Sequence, residues 1–189
     1  MTFPFPVVQG GHHFAPFVLN AVHFDGTNDW LKKTSDLTSN ADGKLGIISV
    51  WLKFDSGHTG NRSHIYQAQN FDFEKSLDDK IRISAYNSSS ATKLDMITTQ
   101  ALTDADGWFH VLASWDLGNS IIDIFINDAN DTNETLNLDD NIDYTRTLHY
   151  VGVDTTETDQ RVEGDMAQLY VSHEFLNFNT ASNRRKFIT

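Results

Sequence analysis

Residues 108–128 read WFHVLASWDLGNSIIDIFIND, and the alternation inside this stretch decides the fold class. From 108 to 115, Phe109, Val111, Ala113 and Trp115 alternate with Trp108, His110, Leu112 and Ser114. From 120 to 126, Ile122, Ile124 and Ile126 alternate with Ile121, Asp123 and Phe125. A period of two sends alternate side chains to opposite faces of a strand, and branched and aromatic residues suit that pleated surface. Outward from this segment the same signal recurs. Residues 46–54, GIISVWLKF, place Ile48, Val50, Leu52 and Phe54 on one face and Ile47 and Trp51 on the other. Shorter runs at 63–68, 81–86, 93–98, 148–153 and 166–173 extend the series, separated by turn clusters at 55–61, 87–90, 104–107, 127–133 and 154–159. About nine short strands joined by Asp, Asn, Ser, Thr and Gly predict an antiparallel sandwich or barrel.

Composition agrees. Of the 26 acidic residues in this chain of 189, 21 are Asp and only five are Glu, a balance that favours turns over helices. The formal charge of −12 argues against a general nucleic-acid binder or an anionic-membrane binder, because phosphate recognition needs a basic surface. With no cysteine, disulfides, thiolate metal sites and cysteine nucleophiles are excluded. No run approaches the roughly 20 apolar residues of a membrane span.

The opening, MTFPFPVVQGGHHF, lacks a basic start and is broken by Pro4 and Pro6, so it reads poorly as a secretory leader. Residues 1–17 read instead as an extended arm ahead of a domain at 18–189. Phe3, Phe5, Phe14 and Phe17 are each worth roughly 1.5–3 kcal/mol on burial, which predicts that the arm docks on its own domain or on a partner. A short helix is expected near 179–187, capped by Asn179 or Thr180, with Arg184, Arg185 and Lys186 at its C-terminal end.

Three segments in order resemble the laminin-G-like, concanavalin-A-type jelly roll: AVHFDGTNDWL (21–31), the 108–128 stretch, and VEGDMAQLYVSHEFLN (162–177). The resemblance implies an all-β, two-sheet antiparallel sandwich. FDGTNDWL, ADGKLGIISVWLKF, FHVLASWDL, IDYTRT (142–147) and ASNRRKFIT (181–189) further resemble jelly-roll proteins encoded in bacteriophage and prophage genomes. That implies a non-enzymatic virion component of a tailed phage, assembled in the bacterial cytoplasm with other virion proteins or further copies of itself. Relatives of this kind tend to run on past ASNRRKFIT. The alternative is a lectin-like module that binds a host glycan.

Because the jelly roll also houses glucanases, a glycosidase is the enzymatic reading to test. Glucanases of this fold carry a Glu-x-Asp-x-x-Glu strand, whereas Glu163-Gly164-Asp165 continues into Met166-Ala167-Gln168 and lacks the second glutamate. No G-x-S-x-G elbow and no phosphate-binding glycine loop occur. No catalytic residue is therefore expected. The resemblance implies a structural Ca²⁺ where the first hairpin nears the closing strand, which by position points to Asp25 or Asp29 and to Asp165. Asp25-Gly26 reads equally as a plain hairpin turn. For sugar contact the candidates are Tyr144, Arg146 beside it, and Trp30.

Overall fold

The computed structural model describes residues 20–37 and 40–188. The strands are β1 (Val22–Asp25), β2 (Leu31–Lys33), β3 (Leu45–Phe54), β4 (Ser63–Ala68), β5 (Phe71–Lys75), β6 (Ile81–Tyr86) and β7 (Thr92–Thr98). They continue with β8 (Phe109–Asp116), β9 (Ile121–Ile126), β10 (Ala129–Asn130), β11 (Thr132–Asn137), β12 (His149–Val151) and β13 (Glu163–Ser172), before a single helical turn, α1 (Ala181–Arg184). One sheet has six strands in the order β1-β13-β3-β8-β9-β10, and the other has seven in the order β11-β7-β6-β5-β4-β12-β2. Every pairing is antiparallel. The chain is an all-β two-sheet sandwich, a jelly roll. The arm expected at residues 1–17, with Phe3, Phe5, Phe14 and Phe17, lies outside the described residues.

The alternation seen in the sequence is realised in the core. Ile48, Val50, Leu52 and Phe54 of β3, Phe109, Val111, Ala113 and Trp115 of β8, and Ile122, Ile124 and Ile126 of β9 face Ile65, Phe71, Phe73, Ile81, Ile83, Leu94 and Met96 of the other sheet. Gly46 sits opposite Trp115 in the ladder, where a Cβ would stand 2.0 Å from the indole Cζ2, so only glycine lets the ring lie down there. The other faces of β3, β8 and β9 are apolar for a second reason. Ile47, Leu112 and Phe125 form an outer cluster closed by Phe178, with Leu176 and Phe187 packed against it.

This closure trims the expected helix. Residues 179–187 contain one turn rather than a full helix, and Thr180 makes no side-chain cap. Asn179 donates instead to Asp123 Oδ2 at 3.0 Å. Arg184 pairs with Asp128, donates to the Phe178 carbonyl and covers the Phe125 ring at 4.6 Å. Holding Phe178 and Phe187 over the patch overrides the helical preference of a short segment. Among the described residues, five strands lie outside the periodic runs: β1 and β2 on either side of the Asp25-Gly26 turn, β5, β10 inside the expected turn at 127–133, and β11, whose start overlaps it. The turn itself is tighter, at Asn127-Asp128, whose φ values of 50° and 69° suit a two-residue hairpin.

Candidate functional site

Strands β1, β3, β5, β7 and β12 all finish at one end of the sandwich, so the loops that follow them gather there. Between these loops lies an open groove of about 530 Å³. The 55–62 loop contributes Asn61 and Arg62, the 152–162 loop contributes Asp159, Gln160 and Arg161, and β13 contributes Glu163. Leu77, on the β5–β6 turn, adds an apolar side chain that is 62% exposed.

Each wall is stitched to the sheets. In the 55–62 loop, His58 N–H donates to the Asp55 carbonyl (3.2 Å) and Asn61 N–H to the His58 carbonyl (3.2 Å). His58 is buried against the Phe54 ring, 5.1 Å between centroids, with Nε2 3.1 Å from Ser63 Oγ. Burial first, and the Lys75 charge second, push its pKa down to about 4, so the imidazole is neutral near pH 7. In the 152–162 loop, Thr155 N–H donates to Gln67 Oε1 (2.6 Å) and His64 N–H to the Gln160 carbonyl (2.9 Å). Arg161 donates to the carbonyls of Glu157 (2.8 Å) and Thr158 (3.2 Å) and lies 5.4 Å over the Trp30 ring. Among the described residues, Arg161 Nε and Gln160 Oε1 have no hydrogen-bond partner. The groove therefore offers amide, guanidinium and carboxylate groups beside an aliphatic side chain, the mixture that hydroxyl-rich ligands engage.

A second polar group lies on the outward face of the seven-stranded sheet. Asp72 and Glu74 alternate with Phe71 and Phe73 along β5, and His64 Nε2 stands 3.7 Å from Asp72 Oδ1 and 3.4 Å from Glu74 Oε2. Arg62 and Arg82 approach Glu74 at 3.7 and 3.8 Å, and Arg82 grips Asp95 at 2.8 and 2.6 Å. Burial pushes Glu74 upward while the arginines pull it back. Glu74 and Asp95 are thus engaged by the arginines, while Asp72 Oδ1 accepts from the Gln67 amide at 2.5 Å. The alternation FDFE was the sequence signal for this pair, and it was missed because it holds only two apolar residues.

The structure separates the sugar-contact candidates. Trp30 lies half-buried beside the groove. Tyr144 is buried at the opposite end, with its hydroxyl accepting from Trp115 Nε1 (2.8 Å) and donating to the Leu45 carbonyl (2.9 Å), and its ring stacked on His173 at 3.9 Å. Desolvation holds its phenol protonated. Arg146 pairs with Asp143. Thus Tyr144 is a packing residue with no free ring face, and Arg146 is committed beside it.

The calcium candidates divide likewise. Asp25 Oδ1 accepts from the N–H groups of Thr27 (2.7 Å) and Asn28 (3.1 Å), which cap its own turn and hold its carboxyl below the usual range. Asp29 is exposed. Asp165 belongs to a different set, with His23 Nδ1 3.0 Å from Oδ1, Lys53 Nζ 3.2 Å from Oδ2, and Asp55 completing a His-Asp-Asp group whose ligand atoms lie within 4.8 Å of one another. Calcium takes six to eight oxygens. One imidazole, two aspartates and a competing ammonium do not fit that demand.

The sequence profile of the laminin-G-type concanavalin A-like lectin/glucanases superfamily matches residues 25–179. No curated protein matches the chain. Similar solved structures include the heptameric SAP-like pentraxin of Limulus polyphemus, with a TM-score of 0.60 and 15% identity over 86% of this chain and 79% of that one. The ligand-binding domain of botulinum neurotoxin serotype D, solved with N-acetylneuraminic acid, gives a TM-score of 0.57 and 14% identity over 89% of this chain and 46% of that one. The receptor-binding domain of botulinum neurotoxin type G gives 0.56 and 14% over 90% and 45%. The chain spans under half of each toxin domain. At these identities the likeness concerns the fold.

Proposed function

The chain belongs to the concanavalin A-like lectin/glucanases superfamily, and on that premise we propose that it is a non-catalytic, lectin-like binding module whose end groove takes a saccharide. The observation that carries this reading is the groove itself, where two loops and the start of β13 present six hydrogen-bonding side chains around exposed Leu77. Sugar hydroxyls both donate and accept, so they match a lining of amides, guanidinium groups and carboxylates, while Leu77 and the neighbouring Trp30 suit the apolar face of a pyranose. Similar folds in proteins named for ligand or receptor binding support the same reading. The setting we propose is a tailed-phage particle, with other virion proteins and further copies of the chain as partners and residues 1–17 as the docking arm. What supports that setting is the sequence resemblance to phage-encoded jelly rolls.

The test is a glycan-array screen of the full chain beside Asn61→Ala and Arg161→Ala. A defined sugar bound by the wild type and weakened about tenfold by either substitution is the expected result. Binding that ignores both variants, or no binding to any glycan, overturns the reading.

A further inference from the structure

An ammonium removed from water is costly unless its donors are met. Lys75 occupies an inward position on β5 and is fully buried. Its Nζ donates to the His58 carbonyl (3.1 Å) and the Asn61 carbonyl (2.8 Å), pairs with Asp79, and lies 5.4 Å from the centroid of the Phe54 ring. Three N–H donors thus meet three acceptors, over an aromatic face that favours a cation. Asp79 Oδ1 also accepts from Gly60 N–H at 2.7 Å. Burial acts to raise the Asp79 pKa, but the hydrogen bonds from Lys75 and Gly60 outweigh it and hold the carboxyl below its ordinary range. Residues 58, 60 and 61 are therefore tied to one internal ion pair through two carbonyls and one N–H. Backbone carbonyls and a carboxylate converging on a cation form the kind of donor set by which a loop holds a divalent metal. Here the cation is part of the chain.

We propose that Lys75 is the positioning residue of the groove: with Asp79 it shapes residues 57–61 into the wall that presents Asn61 and Arg62, and it does so without a divalent ion. The link to ligand capture rests on the proposed saccharide reading, whereas the ordering of the loop is read independently of any ligand. Lys75 itself does not touch the groove's contents.

The experiment is hydrogen exchange on the full chain, comparing wild type with Lys75→Met, Lys75→Arg and Asp79→Asn, and following residues 57–61 against β9 as a distant reporter. In Lys75→Met, exchange at 57–61 is expected to rise roughly tenfold or more while β9 keeps its protection. Lys75→Arg, which keeps the charge, retains more of the loop's protection. Asp79→Asn shows the same local loosening if Lys75→Met does not fold. Wild-type protection at 57–61 stays the same in EDTA and in excess CaCl₂. Unaltered loop protection in the folded variants, equal loosening of β9, or a wild-type loop that opens in EDTA would each overturn the proposal. An array without any bound glycan leaves this result standing, so the two readings fail separately.

Discussion

Replacing Phe178 with alanine tests whether the segment after β13 is part of the fold's energetics. Phe178 is fully buried although it packs on the outside of the six-stranded sheet, where it closes the cluster of Ile47, Leu112 and Phe125 and meets Phe187 edge-on at 5.5 Å. Truncating a buried Phe to Ala costs about 3–5 kcal/mol in a closed core. This cluster lies on the surface and water can enter the gap, so the lower figure, about 3 kcal/mol, applies. At roughly 2–4 °C per kcal/mol for a chain of this size, the melting temperature should fall by about 6–12 °C. Urea unfolding should show a lower midpoint with an unchanged slope, because the surface exposed on unfolding hardly changes. A loss below about 1 kcal/mol, near the range of ordinary surface substitutions, would refute the argument that this segment plugs the outer sheet.

Two further outcomes follow from buried polar groups. Tyr144→Phe removes the hydroxyl that links Trp115 Nε1 to the Leu45 carbonyl, and should cost about 1–3 kcal/mol by urea midpoint while leaving sugar capture unchanged. Altered binding in that variant would return Tyr144 to the site. His58 and His110 are both pushed down to about 4, chiefly by burial. A depressed folded-state pKa means that the unfolded chain takes the proton first, so this contribution is complete above pH 6.5 and is lost as pH falls toward 4. The melting temperature should decline across that window, and His110→Gln should flatten the decline; an equal slope in the variant would contradict the assignment.

What the sequence disclosed was local and periodic. Ile48, Val50, Leu52 and Phe54 could be placed inward because each strand position is fixed by its neighbours. β5 escaped because Asp72 and Glu74 hold its outward positions and Lys75, a charged residue, follows Phe71 and Phe73 at the next inward one, which leaves only two apolar residues in the run. That inward lysine was the readable sign of the loop anchor. β11 escaped because TNETLN is an exposed edge strand with one apolar residue. The groove was not legible, since Gly26, Asn61, Leu77 and Gln160 come together only through the ends of the strands that carry them. The surroundings of Tyr144 and Asp25 were hidden for a related reason: a loop position does not reveal whether a phenol meets the Trp115 indole or a carboxylate accepts from its own turn.

The most direct measurement is a chemical-shift titration of the labelled full chain with the sugar ranked first on the array. Perturbations should be confined to the amides of residues 59–62, 77 and 158–163 and the Trp30 indole, with those near Tyr144 and Arg146 silent. Shifts centred on residues 142–146, or on the His64-Asp72-Glu74 face without the end loops, would contradict this expectation.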